Sequence, residues 1–243
     1  MVLECTPKDA AAIGALEVIE RLGFRSGVIG VGTGSTVARF IERGAGLLGD
    51  SVLVASSLAS ALELSSRGLR PVDPRTVRGP LDLYIDGADE VDPEGRMIKG
   101  RGAALLGEKI LAYASRLNII IVDESKLVSS LGERKPLPIE VVPDSLGIVL
   151  ASLERMGLSA EPRRGGGKDG PVVSDWGGVI VDVRLRPPVD PEALERELLS
   201  IPGVVETGLF IGLADFVVVG MEGCEWRVMR FNRSRGLELP GHR

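Results

Sequence analysis

Apolar and polar positions alternate along the first half of this chain in a repeating rhythm. Short apolar runs lead into clusters of small polar residues, and these lead into apolar positions spaced three and four apart. Lys8 to Leu22 keeps Ala12, Ile13, Leu16 and Ile19 on one side and predicts an amphipathic helix. Gly27 to Val31 predicts a short buried strand. It runs through Gly32-Thr33-Gly34-Ser35-Thr36 into a helix from Val37 to Arg43, which Gly44 closes. Val52 to Ala55 predicts a second strand, followed by the turn Ser56 to Ser60 and a helix to Ser66 that stops near Gly68. Leu81 to Ile85 predicts a third, ending in Asp86-Gly87-Ala88-Asp89-Glu90. Ile119 to Val122 predicts a fourth, ending in Asp123-Glu124-Ser125-Lys126, and a helical pattern between the two carries Glu108 and Lys109. Repetition of strand, small-residue turn and helix predicts an α/β fold with a parallel sheet.

The rhythm stops between Leu131 and Pro143, where Pro136, Pro138 and Pro143 break any long helix. Asp144 to Met156 then predicts a helix capped by Asp144 or Ser145. Arg163 to Gly170 is a glycine-rich loop, read as a hairpin connection in preference to an anion nest. Val172 to Ser174 and Val179 to Val183 predict a β-hairpin across Asp175-Trp176-Gly177-Gly178. Pro191 to Leu199 predicts a helix with Asp190 at its N-cap. Gly203 to Val219 supplies two more strands, and Phe216 to Val219 is expected to rejoin the main sheet. The expected division is a main domain over residues 1–132 plus 208–230, an inserted α+β domain over 133–207, and a loose tail over 231–243.

Composition narrows the chemistry. The chain has 243 residues and a formal charge of −5, so no basic surface points to nucleic acid or an anionic membrane. No apolar run approaches the roughly 20 residues needed to span a bilayer. The first six residues lack the pattern of a signal peptide, which sets the expectation of a cytoplasmic protein. His242 is the single histidine, which argues against a His-dependent triad or a His-rich metal site. Cys5 and Cys224 are far apart with no CxxC spacing, and in a cytoplasmic protein the expectation is that both stay reduced. Glutamine is absent and asparagine occurs only at 118 and 232, a bias that fits thermophilic sequences.

Catalysis therefore rests on carboxylates, lysines, hydroxyls and backbone amides. Gly32 to Thr36, between a strand and a helix, is either a phosphate cradle or an ordinary tight turn; it lacks the lysine of a P-loop. Asp86 and Asp89 serve as turn and cap residues or face the hydroxyls of a ligand. Lys99 sits in the glycine-flanked loop Lys99-Gly100-Arg101-Gly102 and reads as a lysine directed at a small anion or as a solvated one. Glu108 shares a helix face with Ala104 and Ala112, so it either reaches a cleft or lies exposed. Lys126 binds phosphate or caps a turn. Together these residues suit proton transfer on a small sugar phosphate.

The ordered segments GVGTGST, DLYIDGADEVD, MIKGRGAALLGEKI, VDESK, KPLPIEVVP, VVSDWGGVIVDV and IPGVVETGLF resemble ribose-5-phosphate isomerase of the A type, from about Lys8 to about Gly220. The resemblance implies a Rossmann-like main domain with an inserted ferredoxin-like α+β domain, assembled as a homodimer or homotetramer. It implies metal-independent, cofactor-free interconversion of D-ribose 5-phosphate and D-ribulose 5-phosphate through an enediolate. Matched residue by residue, Thr33, Gly34, Ser35 and Thr36 form the phosphate and sugar loop. Asp86, Gly87, Ala88 and Asp89 meet the sugar hydroxyls, and Lys99, Gly100, Arg101 and Gly102 form a substrate loop. Glu108 is the base, Lys126 lies on the phosphate side, and Lys8 aligns with a further phosphate lysine. Arg101 stands where the family carries a glycine, and glycine tolerates φ > 0 far better. Trp176 replaces a polar turn residue, and neither change removes a reacting group. The alternatives at this point are a sugar-phosphate deaminase or CoA transferase of related fold, or a non-catalytic sugar-phosphate sensor.

Overall fold

Local sequence chemistry sets the first elements. Thr6 caps helix α1 (Pro7–Arg21) in a reciprocal capping box with Asp9, and Pro7 takes the first helical position, where its missing N–H costs nothing. Strand β1 (Val28–Val31), helices α2 (Ser35–Arg43) and α3 (Ala45–Gly49), strand β2 (Val52–Ala55), helix α4 (Leu58–Ser66) and strand β3 (Pro71–Val72) follow. Next come β4 (Leu83–Asp86), β5 (Glu90–Val91), β6 (Met97–Ile98), α5 (Leu105–Ala114) and β7 (Asn118–Asp123). The chain continues with β8 (Leu137–Val141), α6 (Leu146–Arg155), β9 (Ser159–Pro162), β10 (Val179–Arg184) and α7 (Pro191–Leu199). Strands β11 (Val204–Thr207), β12 (Leu209–Phe210), β13 (Phe216–Gly220) and β14 (Trp226–Arg230) complete it. The computed structural model describes residues 5–167 and 169–234.

The chain divides into two compact units. One comprises residues 1–88, 107–126 and 212–243, the other 89–106 and 127–211. The first holds a seven-stranded sheet in the order β14-β13-β7-β4-β1-β2-β3. It is parallel from β3 to β13, and β14 adds an antiparallel edge that the sequence reading did not foresee. Its central strands are buried on both faces, which is why they read as unbroken apolar runs. Ile29, Phe40, Leu53, Leu83, Ile119 and Val218 share one core beneath α1 and α2. The chain builds outward from β1 through β2 to β3, then returns to the other side of β1 with β4. That reversal makes the C-terminal ends of β1 and β4 the place where an open α/β sheet receives a ligand.

The second unit has the order β-α-β-β-α-β, and its four-stranded antiparallel sheet runs β11-β8-β10-β9, the ferredoxin-like arrangement. Val141, Val149, Leu153, Val181 and Leu198 fill its core. A small sheet of β12, β6 and β5 belongs to the same unit. Its limits differ from those expected: residues 89–106 join it because β6 pairs with both β5 and β12 and Ile98 enters its core. The expected hairpin partner of β10 also differs. Val173 bridges Val179 once, whereas the ladders of β10 run to β8 and β9.

The expectation of reduced cysteines is overturned. Cys5 and Cys224 form a disulfide, with their Cα atoms 5.3 Å apart. Helix α1 packs on β13 and on the turn after it, so topology closes a separation of 219 residues that the sequence spacing concealed. Most of the expected loose tail lies outside the described residues. Within it, Arg233 donates to the Ser115 carbonyl oxygen at 2.5 Å and Ser234 N–H to Gly212 at 3.1 Å. Among the described residues no helix is long and apolar enough to cross a membrane.

Candidate active site

In the first unit the site is built around Asp86, the last residue of β4 and fully buried. Its Oδ1 accepts from the Thr33 N–H at 3.1 Å and the Gly87 N–H at 2.7 Å, and its Oδ2 accepts from the Tyr84 hydroxyl. Tyr84 and Asp86 are two residues apart on a strand and therefore share a face. Gly32 must be glycine here, because a Cβ would lie 1.9 Å from Asp86 Cγ. The carboxylate thus joins the turn after β4 to the loop after β1.

Two further carboxylate relations matter. Glu108, in the first turn of α5, is buried at 3% exposure, although an isolated helix pattern leaves such a residue free to face solvent. A carboxylate in a first turn is favoured by the helix dipole. Burial pushes the Tyr84 phenol well above its usual range, and the charges of Asp86 and Glu108 add to that shift. Both carboxylates therefore act on one buried phenol, which stays protonated and keeps donating.

The loop after β1 has an unexpected hydroxyl environment. Thr33 Oγ1 lies 2.7 Å from Ser57 Oγ, 2.8 Å from Ser60 Oγ and 3.2 Å from Ser56 Oγ. Ser60 in turn donates to the Gly32 carbonyl oxygen at 2.7 Å. The Thr33 side chain therefore locks its loop to the start of α4, and Ser35 is the exposed hydroxyl at the start of α2. Lys8 donates to Ser35 Oγ at 2.9 Å, so the fold brings these two phosphate candidates together. A cleft of about 480 Å³ is lined by Thr6, Lys8, Ser35, Arg39 and Ser125, at the C-terminal edge of the sheet. Lys126 ends the short turn after β7, half-buried, next to Ser125.

In the second unit, Lys99 is buried at 2% exposure, with its Nζ 5.2 Å from the centre of the Phe210 ring. That spacing suits a cation–π contact. Its backbone N–H donates to Gly208 at 2.9 Å, and the Arg101 N–H donates to Asp89 Oδ2 at 3.0 Å. The left-handed backbone falls at Gly100, φ 102°, and at Ala103, φ 61°, and not at Arg101. Arginine is tolerated because that position never needed glycine's freedom, and its side chain points outward, 71% exposed. Among the described residues no group of three or more His, Cys, Asp or Glu side chains is arranged to hold a metal ion.

The family described as Ribose 5-phosphate isomerase A (phosphoriboisomerase A) matches residues 52–223. A ribose-5-phosphate isomerase A from Aeropyrum pernix is 52% identical over 235 residues, covering 96% of this chain and 99% of the relative. The chain belongs to the ribose 5-phosphate isomerase A family. The isomerase A of Thermococcus kodakarensis is 44% identical, with 88% of this chain and 93% of the relative covered. Among solved structures, the isomerase A of Methanocaldococcus jannaschii matches with a TM-score of 0.83 at 34% identity, over 92% of this chain and 98% of that one. A D-ribose-5-phosphate isomerase in complex with phospho-erythronic acid gives 0.84 at 39% identity, over 92% of this chain and 97% of that one.

For a chain of the isomerase A family, the sequence reading missed three supporting groups. Tyr84 was legible only as a strand residue. Ser56, Ser57 and Ser60 read as a turn, although a serine cluster at the end of the neighbouring strand is the available signal. Arg163 reads as the start of a loop, and nothing in its spacing marks its partners.

Proposed function

We propose that this chain interconverts D-ribose 5-phosphate and D-ribulose 5-phosphate by moving a proton between C2 and C1. After ring opening, Glu108 takes the C2 proton, an enediolate forms, and the same carboxyl returns the proton to C1. Asp86 and Asp89 assist ring opening and the transfer of the second proton from O2 to O1. Lys99 stabilises the developing oxyanion, and Gly100, Arg101 and Gly102 shape its loop. Lys8, Lys126 and the Gly34-Ser35-Thr36 start of α2 hold the phosphate, where exposed amides and the helix dipole favour an anion. Thr33, Gly87 and Ala88 complete the substrate-binding loops after β1 and β4.

The observations that support this reading are the buried Asp86, held by Tyr84, Thr33 and Gly87 at the reversal point of the sheet, and the burial of Glu108 in the first turn of α5. A group that serves as base and then as acid must be held at the reacting carbons, and the burial of Glu108 at 3% exposure keeps it out of bulk water. The reading includes a cytoplasmic homodimer or homotetramer, which sedimentation of the purified chain tests. The activity is tested by incubating the enzyme with ribose 5-phosphate in EDTA and following ketopentose formation. A ketopentose phosphate of unchanged mass is expected, and ribose 5-phosphate left unconverted would point to a different activity.

A further inference from the structure

The loop that carries Lys99 is held by a residue far from it in sequence. Arg163 follows β9, whose Glu161 pairs with Asp182 on β10. Its Nε and Nη2 donate to the two Asp182 carboxylate oxygens at 2.9 and 2.5 Å. Its Nη1 donates to the carbonyl oxygens of Gly100 at 2.9 Å and Arg101 at 2.7 Å. Both side chains are largely buried, Arg163 at 15% and Asp182 at 19% exposure. One planar guanidinium thus grips a carboxylate along one edge and two successive carbonyls at the opposite nitrogen, which a lysine ammonium cannot reproduce.

Arg163 adds to the ties this loop already has. The φ of 102° at Gly100 turns the chain sharply, and a Cβ there would meet Leu105 Cβ at 2.7 Å. The Lys99 N–H is already committed to Gly208, the Arg101 N–H to Asp89, and the Ala103 N–H to Gly100. The N–H groups of Lys99, Arg101 and Ala103 are therefore tied by their own neighbourhood, the Gly100 carbonyl accepts from both Ala103 and Arg163, and the Arg101 carbonyl accepts from Arg163.

We propose that Arg163 is a positioning residue for the isomerisation: held on Asp182, it carries the Gly100 and Arg101 carbonyls and so fixes the direction of Lys99. This rests on the reading that Lys99 stabilises the oxyanion. Displacement of a reacting group by about 1 Å costs on the order of 100-fold in rate. Arg163→Met is expected to lower kcat by about 10- to 100-fold with KM within about threefold. Arg163→Lys should fall with it and not with the parent.

The test is a double-mutant cycle of Arg163→Met and Lys99→Ala, with kcat and KM measured below the unfolding transition of each variant. Once Lys99 is gone its direction no longer matters, so Arg163→Met should change kcat by less than about twofold in the Lys99→Ala background. Asp182→Asn provides a second route if Arg163→Met does not fold. It weakens the grip on Arg163 and should lower kcat with the same non-additivity. Equal fractional losses in both backgrounds, or an Arg163→Met kcat within about twofold of the parent, would overturn the role of Arg163 alone. A Lys99→Ala enzyme with parental kcat would overturn the oxyanion reading and the inference with it.

Discussion

Asp9 shows how a single residue near the start of the chain is fixed by competing forces. Burial disfavours its charge, but the Thr6 hydroxyl, the Arg43 guanidinium at 2.8 Å and the Thr6 N–H outweigh it and hold the carboxyl down to about 2. A carboxyl whose pKa is lower folded than unfolded stabilises the fold above its unfolded value, and that stability is lost as pH falls through about 2. Asp9→Asn is therefore expected to cost about 2 kcal/mol in urea unfolding at pH 7 and only a fraction of that at pH 2. Tyr84 behaves differently, because its phenol is held protonated and its role is to donate to Asp86. Tyr84→Phe leaves a buried carboxylate oxygen without that donor. It is expected to destabilise by about 1–3 kcal/mol in the same unfolding assay and to lower kcat. Asp86, Asp89, Lys99 and Glu108 were legible as residues with chemistry because they sit at strand ends and in glycine-flanked turns. What they touch was not legible, since Tyr84 reads as one of four apolar positions in Leu81 to Ile85 and Thr33 reads as a phosphate ligand although its hydroxyl faces serines.

At the scale of elements, the long periodic segments were readable and the short ones were not. The strands β1, β2, β4 and β7 stand out because burial on both faces makes them continuous apolar runs. Strands β5 and β6 have two residues each, too few for any period; they pair with each other, and β12 arrives from more than a hundred residues away to pair with β6. Strand β8 contains Pro138 and lies beside Pro136, which argued against a strand, yet it pairs on both sides. Pro138 has no N–H to give, and its carbonyl accepts from Gly208 at 2.7 Å. The loop from Lys99 to Gly102 shows the same dependence on distant sequence. Gly100→Ala would force a side chain into a left-handed backbone and against Leu105. It is expected to cost about 1–3 kcal/mol in thermal unfolding and to lower kcat more than it changes KM.

For the whole molecule, the disulfide between Cys5 and Cys224 links the segment before α1 to the turn after β13. A cross-link that closes a loop of this length restricts the unfolded chain, with a typical gain on the order of 2–4 kcal/mol. Cys224→Ser, or the parent enzyme in reductant, is expected to unfold several degrees lower in calorimetry, with KM for ribose 5-phosphate unchanged. An unshifted transition would show that the link contributes nothing to stability. The parallel sheet and the inserted α+β unit were both expected, whereas the membership of residues 89–106 was not, because it depends on the pairing of β6 with β12.

The central claim concerns Glu108, and the most direct measurement is the fate of the hydrogen at C2. Ribose 5-phosphate deuterated at C2 is incubated with the parent and with Glu108→Gln, and loss of deuterium from C2 and formation of ketose are followed together. The neutral amide keeps the shape of the side chain and cannot accept the proton. Both rates should fall by about 100- to 10,000-fold while KM changes little. Deuterium loss and turnover near the parental rates would contradict the assignment of Glu108 as the base.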